Sequence, residues 1–387
     1  MTRSAVPQPA LTRSAHPSPS FGLQVSLVIL ASILDCVGLL VLYLVTNTLS
    51  AVVRQGLFDL LGLLLLIAIG FLPVDKLFPL ARWFYFAGLV MMLAPLLFGQ
   101  RINGARSWIT LPGGLSLQPI EPMKTILAIC AATLLASPRL RTVSPWQRFG
   151  AALALTVPPV LLVAAQPEFG GVFVLAVELI FVLFVADLRP LQWLTLAFIA
   201  ALAIFALLVL LPHWIPHYAY LTDRLTAFLH PNTAGDTAYQ SRVAEQSIGS
   251  GGLLGIGLNR VQMQLAAFHQ LPEAQNDFAF AVVGNLFGFV GCALVILCYL
   301  AMLMRMVQIG RRSTTQEEAI LSAGLTGIFV AHVFGNIGMN VGLLPVMGIP
   351  LPFISSGGSA ALFFGADLGL IEAIYRKRRG LSFTHKR

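Results

Sequence analysis

Ten stretches of about 20 apolar residues recur along the chain, each long enough for a helix to cross a hydrocarbon layer of about 30 Å. They fall near 23–46, 55–73, 78–99, 119–136, 147–166, 169–187, 190–212, 279–304, 318–340 and 354–375. Only 10% of the 387 residues are charged, and the mean hydropathy is +0.83. So little polar surface cannot wrap a water-soluble core, so lipid is the solvent for most of the chain. The expected fold is all-α: a polytopic membrane protein of about ten transmembrane helices, with a long extracellular loop before helix 8.

An even number of spans returns both termini to one side. Cations in the connecting loops, Lys76, Arg139, Arg141, Arg148, Arg189, Arg305, Arg311 and Arg312, together with both tails, put about 16 on one side and about 6 on the other. That side is expected to be cytoplasmic. Residues 1–21, rich in Pro, Ser and Thr, read as a disordered cytoplasmic tail. Residues 22–376 read as one membrane domain and 377–387 as a basic cytoplasmic tail. The formal charge of +8 is spread singly between apolar segments, apart from the run Arg376 to Arg379. This suits anchoring at anionic lipid and points to no nucleic acid. The cysteines Cys36, Cys130, Cys292 and Cys298 all lie in apolar runs without a CxxC pair, so packed free thiols are expected.

Two stretches then face outward, Gln100 to Gln118 and His213 to Asp277, and function is expected on that face. The longer stretch holds Tyr239-Gln240-Ser241-Arg242, the glycine run Gly249 to Gly257, and Glu273 to Phe278. The glycine run lacks the Gly-Lys-Ser/Thr ending of a phosphate-binding loop, and a flexible turn is the simpler reading. Asp277 stands where the chain re-enters an apolar helix. Partial desolvation there raises a carboxylate pKa, as a general base for a hydroxyl needs; an acidic residue facing a helix dipole is the competing reading. Glu121 and Lys124, three residues apart near the outer end of a span, suit a membrane-buried ion pair. Trp108 is either a substrate contact or an interfacial anchor. Past Gly342, the prolines Pro345, Pro350 and Pro352 with Gly357 and Gly358 break the helix at membrane depth, which is tolerated where backbone lines a cavity. His213 and His217, the one i, i+4 pair among His213, His217, His230 and His269, lie in a Pro-interrupted stretch that cannot form a regular helix, which argues against a metal-dependent hydrolase.

An ordered series of segments carries a resemblance. It runs from Asn103-Gly104-Ala105-Arg106-Ser107-Trp108 through Gln118-Pro119-Ile120-Glu121 with Lys124, then Gln166-Pro167-Glu168. It continues with Tyr239-Gln240, Ile248-Gly249-Ser250-Gly251-Gly252, Leu271-Pro272-Glu273 with Asp277, and Gly342-Leu343-Leu344-Pro345 onward to Gly358. In order and topological position these segments resemble the SEDS family of RodA- and FtsW-like membrane proteins. The form Gly348-Ile349-Pro350-Leu351-Pro352-Phe353 is nearer the rod-shape branch.

The resemblance implies a peptidoglycan glycosyltransferase that polymerises lipid II, a disaccharide-pentapeptide on undecaprenyl pyrophosphate, for cell elongation or shape. It implies Asp277 as the catalytic base, and Trp108, Arg106, Glu121, Lys124, Tyr239, Gln240, Arg242, Glu273, Ser355, Gly357 and Gly358 as substrate-binding residues. Arg224 joins Arg106, Lys124 and Arg242 as a cation for pyrophosphate. A class B penicillin-binding protein is the implied transpeptidase partner, and a divalent cation, Mg or Mn, is a candidate cofactor. Three departures stand out. The family pattern Gly-Glu-Glu-Leu-Gly reads Gly284-Asn285-Leu286-Phe287-Gly288 here, Glu168 replaces an aspartate, and Ser356 stands where tyrosine is common. A non-catalytic scaffold and a lipid II transporter are the rival readings. Asp35 and Glu178 lie in apolar spans with no assigned role.

Overall fold

The computed structural model describes residues 25–102, 105–111, 115–206, 219–230, 236–257 and 273–384. The expected disordered tail, His213, His217, His269 and the pair Leu271-Pro272 lie outside the described residues. Ten helices occupy the ten expected spans: α1 (Val25–Thr46), α2 (Leu49–Gly70), α3 (Ala81–Phe98), α4 (Ile120–Leu135), α5 (Pro145–Ala165), α6 (Phe169–Val185), α7 (Pro190–Phe205) and, after the long loop, three more. The loop itself holds α8 (Ala219–Leu229) and α9 (Asp236–Ser250); α10 (Ala279–Arg311), α11 (Gln316–Asn340) and α12 (Gly358–Thr384) complete the bundle. Seven are long and apolar enough to cross a membrane by length and composition. The other three, α4, α6 and α7, have 16 or 17 residues. The chain is a multi-pass helical membrane protein.

Local sequence sets the helix ends. Ser144 forms a capping box with Gln147 ahead of Pro145, which takes the first position of α5 where its missing N–H costs nothing. Asn47, in the left-handed region (φ 49°), turns α1 into α2 in two residues. Helix α2 therefore starts six residues before the expected 55. Its first turns carry Arg54, which interrupts the apolar run but stays exposed.

The helices α4 and α11 are buried along most of their length, whereas α2 and α7 present Leu57, Leu60, Leu64, Leu194, Phe198 and Leu202 outward, as lipid-facing helices do. Without a hydrophobic drive between helices in lipid, close approach through small residues supplies the packing. A Cβ on Gly62 of α2 would stand 2.6 Å from Ala361 O of α12, and one on Gly365 would stand 2.1 Å from Gly62 O.

Two features depart from the sequence reading. The outer stretch Gln100 to Gln118 is not a plain loop. Strands β1 (Gln100–Ile102), β2 (Ala105–Leu111) and β3 (Leu115–Leu117) form an antiparallel sheet in the order β1-β2-β3, with Gln100 opposite Trp108 and Ile109 opposite Leu117. The glycine run is not a free turn. Helix α10 kinks at Gly288 (φ 63°, ψ −159°), and the run after α9 packs into that kink. Ile256 N donates to Asn285 O at 3.1 Å and Phe289 N to Gly252 O at 2.9 Å. The kink's backbone groups are thus satisfied by the neighbouring segment, as a broken helix at membrane depth requires.

Helix α12 runs on through the basic residues Arg376 to Arg379 as far as Thr384. Lys377 bonds Asp75 at 2.6 Å and the fully buried Glu318 at 2.5 Å, so this cation ties α12 to α11 and to the turn after α2.

Candidate active site

At the end of the bundle that carries the sheet and the long loop lies a cavity of about 400 Å3. Its walls are Ser107, Trp108 and Ser116 of the sheet, the turn Pro167-Glu168-Phe169, Arg224 of α8, the turn holding Glu273, Asn276 and Asp277, and the broken segment with Met347, Gly348, Pro350, Ser356 and Gly357. The sequence places these residues up to 250 positions apart in about five segments, and only the fold brings them together.

Asp277 is half-buried in the wall, two residues ahead of α10. Its backbone is clamped by two asparagines of α11, both fully buried. Asn336 Nδ2 donates to Asp277 O at 2.8 Å and to Ile349 O at 2.7 Å, while Asn340 Nδ2 donates to Asp277 O at 2.9 Å. Asn340 Oδ1 in turn accepts Ala281 N at 3.0 Å. Burial, and then the charge of Glu273, push the Asp277 carboxyl up to about 7, against the opposing effect of Arg224. Burial brings Arg224 down to about 10, with Asp277 opposing. Its Nη1 donates to Val346 O at 2.8 Å, which fixes α8 to the broken segment.

The rim is cross-linked. Glu273, in the left-handed region (φ 59°), accepts Asn276 Nδ2 at 2.5 Å. Ser356 Oγ donates to Asn276 Oδ1, and Ser355 Oγ donates to Asn276 O and accepts Leu351 N. On the opposite wall Gln118 donates to Glu168 at 2.6 Å. Burial and the nearby Glu121 raise the Glu168 carboxyl to about 7, with Lys124 opposing. Ser359 Oγ donates to Ser116 O at 2.8 Å, joining α12 to the sheet.

Of the residues expected at the site, Asp277, Trp108, Glu273, Gly357 and Arg224 line the cavity. Glu121 and Lys124 stand behind it. They form the expected ion pair at 2.9 Å, both about 3% exposed. Lys124 Nζ also donates to His332 Nε2 at 2.8 Å, which leaves His332 Nδ1 to donate to Pro350 O at 2.9 Å. The pair therefore reaches the cavity through the histidine and the wall residue Pro350. Ser355 braces the turn before Asp277, and Gly358 packs on the Phe58 ring. Arg106, exposed on β2, and Tyr239, Gln240 and Arg242 of α9 stand outside the lining. A loop sequence reveals a polar residue but not which wall it joins.

The substituted pair Asn285 and Leu286 is also outside the cavity. Both are buried at the kink, and Asn285 Nδ2 donates to Ser250 Oγ at 2.6 Å and Ser247 O at 3.1 Å. Sequence reasoning missed Asn276, Asn336 and Asn340 as site residues. The signal was present in the last two, a pair of carboxamides one turn apart in an apolar span. Among the described residues no group of three or more His, Cys, Asp or Glu is placed to hold a metal ion.

A family model described as "Cell cycle protein", covering FtsW, RodA and SpoVE, matches residues 22–380. The peptidoglycan glycosyltransferase MrdB of Escherichia coli (strain K12) is 34% identical over 329 residues, covering 83% of this chain and 85% of that protein. Stage V sporulation protein E of Bacillus subtilis (strain 168) is 30% identical over 292 residues, covering 75% and 76%. Among solved structures, a chain from a peptidoglycan synthase complex superposes with TM-score 0.75 at 28% identity, over 92% of this chain and 98% of that one. The rod shape determining protein RodA of Thermus thermophilus superposes with TM-score 0.68 at 26% identity, over 92% and 97%. With its membrane helices, its polar cavity at one end of the bundle and these likenesses along nearly its whole length, the chain belongs to the FtsW/RodA/SpoVE family of cell cycle proteins.

Proposed function

We infer that this protein is a peptidoglycan glycosyltransferase that polymerises lipid II into β-1,4 glycan strands at the outer face of the cytoplasmic membrane. The observation that carries the reading is Asp277, a carboxylate on a clamped backbone in a cavity wall, with its pKa brought up to about 7. A general base works best when its pKa lies near the operating pH.

In this reading Asp277 takes the proton from the acceptor's 4-hydroxyl as that oxygen attacks the anomeric carbon of the donor. The bond to the lipid pyrophosphate breaks, and an α-linked donor gives a β-linked strand. Arg224, on the same cavity, supplies positive charge for the departing pyrophosphate. Trp108 offers a flat apolar wall for a sugar ring. Lys124 is already neutralised by Glu121 and holds the cavity wall through His332.

The asymmetry of loop cations supports cytoplasmic termini, which puts the cavity on the outer face where lipid-linked sugar is polymerised. A class B penicillin-binding protein fits as partner, since a strand made here needs crosslinking. The scaffold reading rests on the missing Glu pair, but those positions lie at the helix kink, outside the cavity lining. The test is polymerisation of labelled lipid II by the purified protein with its cognate transpeptidase, against Asp277→Ala at matched expression. Strands from wild type alone support the base; no strands from either sink the enzyme reading.

A further inference from the structure

A second cavity, of about 420 Å3, opens at the other end of the bundle, where α5 and α7 begin and α6 ends. Two arginines line it, Arg148 of α5 and Arg189 at the start of α7. We propose that this cleft binds the headgroup phosphate of an anionic phospholipid in the leaflet opposite the catalytic cavity.

The first argument is an uncompensated cation. Arg148 is partly buried, and its Nε is shut off from solvent with no hydrogen-bond partner. A buried donor without an acceptor is rare in a folded protein and calls for a water, an ion or a ligand at that place. Arg189 adds a second positive charge to the same cleft. Asp187 also lines it, but among the described residues it forms no ion pair with either arginine. A guanidinium offers five donors in a plane suited to phosphate oxygens.

The second argument is that the cleft is built. Gln192, 1% exposed, accepts Arg189 N at 2.8 Å and donates to Pro145 O at 2.7 Å. One carboxamide therefore fixes the starts of α5 and α7 against each other and sets the spacing of the arginines.

The third argument separates a lipid from a free anion. Residues next in sequence to the lining are large, apolar and exposed: Trp146 43%, Phe184 76% and Leu191 60%. At a membrane surface these meet acyl chains while the arginines meet the headgroup, the arrangement of basic recesses that hold anionic lipid. Other cations of this face behave differently. Arg305, Arg312 and Arg378, which line a recess between α10 and α12, are all exposed and need no ligand beyond water and the general surface potential.

The test measures thermal unfolding of the full-length protein in neutral detergent micelles with added phosphatidylglycerol, phosphatidylcholine or inorganic phosphate. Wild type is expected to gain several degrees in Tm with phosphatidylglycerol and none with the other two. The gain should vanish in the Arg148→Gln/Arg189→Gln double variant and persist in an Arg305→Gln/Arg312→Gln control. An equal gain from inorganic phosphate would overturn the lipid as ligand, and an undiminished gain in the double variant would overturn the site. Should the double variant not fold, native mass spectrometry of Arg189→Gln decides: fewer retained phosphatidylglycerol molecules than wild type support the site, and equal numbers reject it.

Discussion

Asn336 holds Asp277 by its backbone, donating to the aspartate carbonyl at 2.8 Å and to Ile349 O at 2.7 Å from a side chain with no solvent exposure. One carboxamide thus joins the segment that carries the proposed base to the broken segment across the cavity. A base is effective only if its oxygen stays within hydrogen-bond reach of the proton it removes, so the clamp is part of the chemistry.

Asn336→Ala should leave Ile349 O without this donor and Asp277 O held by Asn340 alone, at a cost of about 1–3 kcal/mol in stability. Freed backbone at Asp277 should also lower the rate of lipid II polymerisation by roughly ten- to a hundredfold. Thermal unfolding and strand synthesis on the same preparation check both. A variant with lower Tm but full activity would make the clamp purely structural.

The pH profile follows from Asp277. A base works ionised, so activity should rise with pH through about 7. Arg224→Gln removes the charge that holds this pKa down and should move the acid limb to higher pH. Glu273→Gln removes the carboxylate that raises it and should move the limb lower. Initial rates from pH 5 to 9 decide between these shifts and none.

The ion pair behind the cavity should show the asymmetry of buried charges. Lys124→Met strands Glu121, both sites being about 3% exposed, and should cost about 3–5 kcal/mol. Glu121→Gln/Lys124→Met should recover most of that. Denaturation of the two variants in one detergent is the measurement, and a double variant no more stable than Lys124→Met would show that the stranded Glu121 charge is not the source of the loss.

The glycine run should be intolerant for steric reasons. A Cβ on Gly251 would stand 2.0 Å from Gly284 O, and one on Gly255, at φ +81°, would stand 2.1 Å from Leu286 O. Gly251→Ala or Gly255→Ala should each destabilise by roughly 1–3 kcal/mol or block folding. Gly249→Ala, with open space at its Cβ, should be neutral in the same thermal assay and serves as the control.

The sequence by itself determined the number of spans, their order and the end of the bundle at which the polar segments gather. Those depend on the length of apolar runs and the side on which cations gather, both local properties of a chain solvated by lipid. The Glu121–Lys124 pair was legible for the same reason, since helical spacing of three puts both residues on one face. What the tertiary structure alone decided is which polar groups meet. Asp277 reaches Asn336 across 59 positions of sequence, Lys124 reaches His332 across 208, and Gly357 N reaches Gln55 Oε1 across 302. The glycine run after α9 became a plug for a kink in α10, because unsatisfied backbone at membrane depth must find donors and acceptors within the protein. Arg106, Tyr239, Gln240 and Arg242 belong to segments at the same end of the bundle as the cavity yet stand outside its wall. Hydrophobic periodicity fixes how a segment lies in the bilayer, whereas a site depends on the rotation and approach of several helices, which packing of small residues such as Gly62 and Gly365 sets.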